Sequence, residues 1–201
     1  MRCQGCLDRT PKPTTHRSRF GGVDPHVYLP RIAPLAVICR SGTADKRSLL
    51  GLRVHVRELQ STDLDALLGL YAHLHEQDLP LPAPQAVKEV WAEALANPRI
   101  RYFGGYDAET LVSSCTVTLI PNLTRGCRPY GVIENVVTHA SFRGKGWGKR
   151  LLEEALAFAW AHGCYKVMLL TGRKDDSILR FYEAAGFSRE GKIGLIAKPP
   201  N

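Results

Sequence analysis

Residues 132–156 read VIENVVTHASFRGKGWGKRLLEEAL. The first seven, Val132–Thr138, are β-branched and apolar apart from Glu134 and Asn135, as in a buried strand. From Trp147 the pattern changes period. Leu151, Leu152, Ala155 and Leu156 fall on one face of a helix. Between strand and helix stand Gly144, Gly146 and Gly148, interleaved with Arg143, Lys145, Lys149 and Arg150. Glycines let main-chain N–H groups come close to an anion, and a helix start adds partial positive charge. Cations in a first helical turn oppose the helix dipole, so this concentration of them either faces a polyanion such as a pyrophosphate or belongs to a glycine-rich turn with solvated cations. A Walker loop is excluded because Arg150 follows Gly148-Lys149 where Ser or Thr is required. Glycines at every second position also miss the G-x-G-x-x-G of a dinucleotide turn.

Working outward, Val54, Val56 and Leu59 alternate as in a first strand, and Ser61 or Thr62 is placed to cap a following helix. Leu64, Leu67, Leu68, Tyr71, Ala72 and His75 form its inner face. A second helix is predicted from Pro84 to Ala96, with Val87, Val90, Trp91 and Leu95 inward, and Asn97-Pro98 stops it. Ile100–Tyr106 and Leu111–Ile120 flank the turn Asp107-Ala108-Glu109 as a hairpin. Tyr130–Thr138 is the next strand, Trp147–Ala161 the long helix, and Tyr165–Leu170 a further strand. Ser177–Ala185 is a short helix ended by Gly186. Two last strands are expected from Phe187 and over Ile193–Ala197. This order gives an α+β fold with a mixed sheet, not a regular βαβ alternation.

Arg143-x-x-Gly146-x-Gly148 resembles the Arg/Gln-x-x-Gly-x-Gly/Ala signature of the GNAT N-acetyltransferases, and ILRFYEAAGF at 178–187 resembles that family's L-Y-x-x-x-G-F motif. The likeness covers Val54 to Ala197. It implies a mostly antiparallel mixed sheet flanked by helices, splayed between its fourth and fifth strands. It also implies acetyl-CoA as co-substrate and direct attack of a primary amine on the thioester in a ternary complex. Carried over by position, Val136, Val137 and Thr138 pair with the pantetheine arm. Arg143, Gly144, Lys145, Gly146, Trp147, Gly148 and Lys149 hold the pyrophosphate, mainly through main-chain N–H groups. Tyr182 protonates the departing thiolate, or is simply a packed aromatic residue. Glu134 draws the amine proton, as a base of raised pKa among apolar neighbours, or is a structural carboxylate. Asn135, Tyr71 and Tyr130 are expected on the acceptor side, with His75 and Trp91 as further candidates. Asp175 stands where the family often has an Asn that touches the coenzyme, and Ser177 is a substitute for it. His73, His75 and His139 are read as ordinary polar residues before they are read as bases.

A small amine or amino acid derivative is the expected acceptor, with a protein N-terminus or lysine second. An acetyl-CoA-binding regulatory module is the competing class, against which the presence of both Glu134 and Tyr182 argues. The formal net charge of +8 is concentrated in residues 1–50, which carry nine Lys/Arg and three Asp. That segment, rich in Pro and Gly, reads as a basic and disordered extension over residues 1–51, with the catalytic domain at 52–201. No recognition pattern for nucleic acid follows it in the body, so neither nucleic acid nor membrane is expected as a partner; a homodimer is compatible with the resemblance. Met1–Phe20 has no secretory character, which points to the cytoplasm and free thiols. Cys3-Gln4-Gly5-Cys6 has no second pair at metal-ligand spacing, and no metal is expected.

Overall fold

The computed structural model describes residues 55–74, 78–190 and 192–200. The expected extension over residues 1–51, the Val54 and His75 positions and the Cys3–Cys6 pair lie outside them. The element order is β1 (His55–Glu58), α1 (Leu64–Tyr71), α2 (Pro84–Ala96), β2 (Ile100–Asp107), β3 (Thr110–Ile120), β4 (Tyr130–Thr138), α3 (Trp147–Ala161), β5 (Val167–Leu169) and α4 (Asp176–Ala184). The strands form one five-stranded sheet in the order β1-β2-β3-β4-β5. Neighbours are antiparallel except β4 and β5, which are parallel. Among the described residues no helix is long and apolar enough to cross a membrane.

Each face of the sheet has its own core. α3 presents Leu151, Leu152, Ala155 and Ala159 to Phe103, Cys115, Val117 and Ile133. On the opposite face Leu67 and Leu70 of α1 and Trp91 of α2 pack with Leu59, Tyr106, Leu111 and Val137. Burial of each such large apolar side chain is worth about 1.5–3 kcal/mol. Val90, expected inward, is exposed instead, because α2 turns only Trp91 fully into the core.

α1 starts later than Ser61 or Thr62 because Asp63 is committed elsewhere. A 3-10 turn covers Ser61–Asp63. The Asp63 carboxylate accepts two hydrogen bonds from the Arg57 guanidinium at 2.7 and 2.9 Å, one from Gln60 N–H at 2.7 Å and one from the Tyr106 hydroxyl at 3.0 Å. The Arg57 partnership, helped by Gln60 and Tyr106 against the cost of burial, holds the Asp63 carboxyl at about 2.

Among the described residues the two expected C-terminal strands do not form. Residues 192–200 are exposed, with Ile193 and Leu195 each at 90%. β5 has three paired residues, too short an edge for another strand to register against. Phe187 packs against the α3-side core as the chain leaves α4.

Candidate active site

β4 carries a bulge. Ser114 of β3 pairs with Val137 and Thr116 pairs with Glu134, so Asn135 and Val136 together oppose Cys115. Asn135 sits at φ +54° to allow this. β5 accompanies β4 only from Gly131 to Ile133. From Glu134 to Thr138 the β4 backbone therefore has β3 on one side and an open cleft on the other.

That cleft has a volume of about 1080 Å³. Its walls are Glu134–Thr138 of β4, the loop from Arg143 to Lys149, the end of β5 through Arg173, and Ser177, Ile178, Phe181 and Tyr182 of α4. Glu134, Asn135, Val136, Val137, Thr138, Arg143, Gly144, Gly146, Trp147, Gly148, Lys149, Ser177 and Tyr182 are thus brought together. Lys145 and Asp175 are not on the walls. Asp175 precedes α4 and accepts from Ile178 and Leu179 N–H through its backbone carbonyl. Tyr130 begins β4, and at about 3.3 Å per residue it is roughly 26 Å from Thr138. There its ring lies near Tyr165 and Lys166.

The glycine loop has the geometry of an anion cradle. Gly144 and Gly146 have φ of +72° and +86°, which only glycine adopts at little cost, and no atom would meet a Cβ at either within 4 Å. The first helical bond of α3 runs from Arg150 N–H to the Gly146 carbonyl, so the N–H groups of Trp147, Gly148 and Lys149 have no helical partner. Trp147 is 1% exposed and anchors the loop in the core. Its indole N–H is buried without a partner. Gly148 is a close approach: a Cβ there would meet Phe181 Cζ at 3.0 Å and Thr138 Oγ1 at 3.3 Å.

The cations around this loop are less free than the sequence suggests. Lys149 pairs with Glu153, and Arg150 with Glu153 and Glu154, one turn along α3. Lys145 lies 5.2 Å from the Phe142 ring. Arg143, on the cleft wall, has its guanidinium engaged by two main-chain carbonyls: its Nε donates to the Thr138 carbonyl at 3.1 Å and its Nη2 to the His73 carbonyl at 3.0 Å. Its own N–H donates to Ala140. The anion-binding capacity therefore resides in the main chain and the helix end more than in the side chains.

Tyr182 is half-buried on α4 and lines the cleft. Burial pushes its hydroxyl above the usual phenol range; Arg173 opposes this, while Cys115 and Glu134 add to it. It is a protonated donor at neutral pH. Glu134 is exposed at the cleft, so the apolar burial expected for it is absent: the pleat turns it outward, opposite Thr116. Tyr71 is not on the cleft wall. Its hydroxyl is buried on the α1 side of β4, and burial pushes it up to about 12, partly offset by Thr116 and Asn135 nearby. Neither it nor the buried Thr116 hydroxyl completes a hydrogen bond.

Sequence reading missed Arg173 on the cleft walls and took His73, which is also on them, first as an ordinary polar residue. Arg173 had a weak signal, a cation just before the α4 motif. The place of His73 depends on the packing of its ring 4.2 Å from that of His139, which the sequence does not record. Among the described residues no group of His, Cys, Asp and Glu is arranged to hold a metal.

The model of the acetyltransferase (GNAT) family matches residues 67–187. The chain belongs to that family. A glucosamine 6-phosphate N-acetyltransferase of Trypanosoma brucei brucei is 34% identical over 134 residues, 67% of this chain and 88% of that protein. Among solved structures, one from Agrobacterium tumefaciens assigned as an acetyltransferase is 39% identical with a TM-score of 0.67, covering 72% of this chain and 100% of that one. An aminoglycoside acetyltransferase in complex with a CoA-containing bisubstrate analogue shares the fold, at 19% identity and a TM-score of 0.60 over 74% of this chain and 99% of its own. Acetyl-CoA is the co-substrate of this GNAT enzyme. The positive-φ glycines, the free first-turn N–H groups and the unpaired edge of β4 fit its pyrophosphate and its amide-bearing arm.

Proposed function

We infer that this protein acetylates the primary amine of a small, polar acceptor of the amino-sugar class, by direct attack with both substrates bound. The observation that carries this is the β4 bulge, which exposes Glu134 and Asn135 side by side at the cleft. A carboxylate beside an amide suits a polar ammonium with hydrogen-bonding groups around it. The names of the trypanosomal relative and of the aminoglycoside enzyme support the same class.

In this mechanism Glu134 attracts the ammonium and takes one proton from it through water, leaving a neutral amine. Main-chain N–H at the bulge polarises the thioester carbonyl. The N–C bond forms as the C–S bond breaks; Tyr182 gives its hydroxyl proton to the sulfur and regains one released by the nitrogen. The net change is an amide, a thiol and one proton. Free-thiol release from acetyl-CoA, measured across glucosamine 6-phosphate, glucosamine, an aminoglycoside, free amino acids and an N-terminal peptide, tests this. Turnover is expected with an amino sugar. Turnover with the peptide alone would move the acceptor to a protein, and coenzyme binding with no turnover on any amine would favour the regulatory class.

A further inference from the structure

We propose that the Arg143 side chain is not a phosphate ligand but a positioning latch, which transmits coenzyme occupancy across β4 to the acceptor side through the last turn of α1. The proposal rests on the reading of the cleft as the acetyl-CoA site.

Arg143 begins the glycine loop, and its guanidinium spans two elements that the sequence keeps far apart. One arm holds the Thr138 carbonyl at the end of β4 and the other the His73 carbonyl just past α1. His73 and Leu74 continue the α1 turn, with N–H groups on the Leu70 and Tyr71 carbonyls. Both residues also line the cleft. The turn is braced by the His73 ring against His139, whose Nδ1 accepts from Ser141 N–H ahead of the loop. Two residues before His73 stands Tyr71, whose hydroxyl lies by Thr116 and Asn135 on the acceptor side of the bulge. A guanidinium is suited to this because its planar fork serves two carbonyls at once, which an ammonium cannot do with the same geometry. His73 lies just past the end of α1, at the start of the α1–α2 connection. Anion binding by the main chain from Gly144 to Lys149 fixes Arg143 in its place, and Arg143 fixes the turn that carries Tyr71.

Hydrogen–deuterium exchange of the full chain, with and without saturating coenzyme A, tests this in the wild type, Arg143→Ala and Arg143→Lys. In the wild type coenzyme A slows exchange at residues 144–149 and also at 70–74. The slowing at 70–74 should reach about tenfold, the change that one charge-assisted hydrogen bond of ordinary strength supports. In both variants the effect at 144–149 persists while that at 70–74 disappears, and 111–117 in β3 serves as the control for folding. Lys behaving like Ala separates the two-armed latch from a simple positive charge. Protection at 70–74 that survives in Arg143→Ala would overturn the proposal, as would its absence from the wild type. Loss of coenzyme A binding in Arg143→Ala, with Arg143→Lys retaining it, would make the side chain a phosphate ligand and also overturn it. No protection at 144–149 in the wild type would remove the coenzyme-site reading itself, and the latch with it.

Discussion

Gly146 and Gly148 stand two residues apart in one loop, yet alanine at each should fail for a different reason. At Gly148 the added Cβ lies 3.0 and 3.1 Å from Phe181 Cζ and Cε2 and 3.3 Å from Thr138 Oγ1. The ring must withdraw by a few tenths of an ångström, and overpacking of this kind costs about 1–2 kcal/mol. For a domain of this size that is a fall of roughly 2–8 °C in Tm. Phe181 adjoins Tyr182, their rings 4.9 Å apart, so the displacement reaches the proposed acid and kcat should fall at saturating acetyl-CoA. At Gly146 the Cβ meets nothing within 4 Å, but φ is +86°, a conformation costing an L-residue about 1–2 kcal/mol. There the loop is expected to relax out of its cradle shape, so coenzyme affinity suffers while kcat at saturation is largely kept. Thermal unfolding, calorimetric titration with coenzyme A and steady-state kinetics read the three quantities. Unchanged Tm and kcat in Gly148→Ala would refute the argument, since the α3–α4 contact would then be neither tight nor relevant to Tyr182.

Tyr182→Phe keeps the ring and should leave Tm and coenzyme affinity near wild type while slowing the chemical step by about 10²–10⁴-fold; single-turnover measurement that finds the step unchanged across pH would leave Tyr182 a packing residue. Because burial raises its pKa, any alkaline loss of rate due to this group should set in at higher pH than for a free phenol. The Asp63 carboxyl, held at about 2 against an ordinary 3.8, contributes stability that is fully present above pH 4 and lost as pH falls from 4 to 2. That contribution is about 2 kcal/mol at neutral pH, so Asp63→Asn should flatten the acid limb of the unfolding curve, and an unaltered limb would count against the Arg57–Asp63 pairing. Removal of residues 1–51 should leave a domain that unfolds cooperatively and binds acetyl-CoA; loss of cooperativity would make that segment part of the fold.

The elements most legible in the sequence are those with long, uninterrupted periods. α2, β4 and α3 fall at their predicted bounds because the pattern is long and, after α2, the stop signal Asn97-Pro98 agrees with it. The gathering of Glu134, the glycine loop and Tyr182 around one cleft follows from the order of these elements. Legibility fails where an outcome depends on a partner distant in the chain. Nothing local distinguishes an Arg143 that faces an anion from one that reaches the carbonyl of His73. The outward turn of Glu134 and the remoteness of Tyr130 depend on pleat and strand length, which composition does not record. Ile193–Ala197 is apolar enough for a strand, but a strand also needs an edge, and β5 supplies three residues.

The brevity of the β4–β5 ladder also has a mechanical side. Among the described residues the β4–β5 ladder is confined to Gly131, Val132 and Ile133, with Tyr165 N–H on the Pro129 carbonyl just before it, and side-chain packing of Phe181, Tyr182, Ala185 and Phe187 supplies much of the remaining hold. Such a segment is a natural unit of partial opening, able to detach while β1–β4 and α3 remain intact. A coenzyme lodged between the free edge of β4 and the β5–α4 wall bridges the seam from both sides. Its concentration then sets how often the seam opens, through the ordinary logarithmic dependence of stability on ligand. Resistance of the C-terminal region to proteolysis thereby becomes a gauge of the acetyl-CoA supply around the protein.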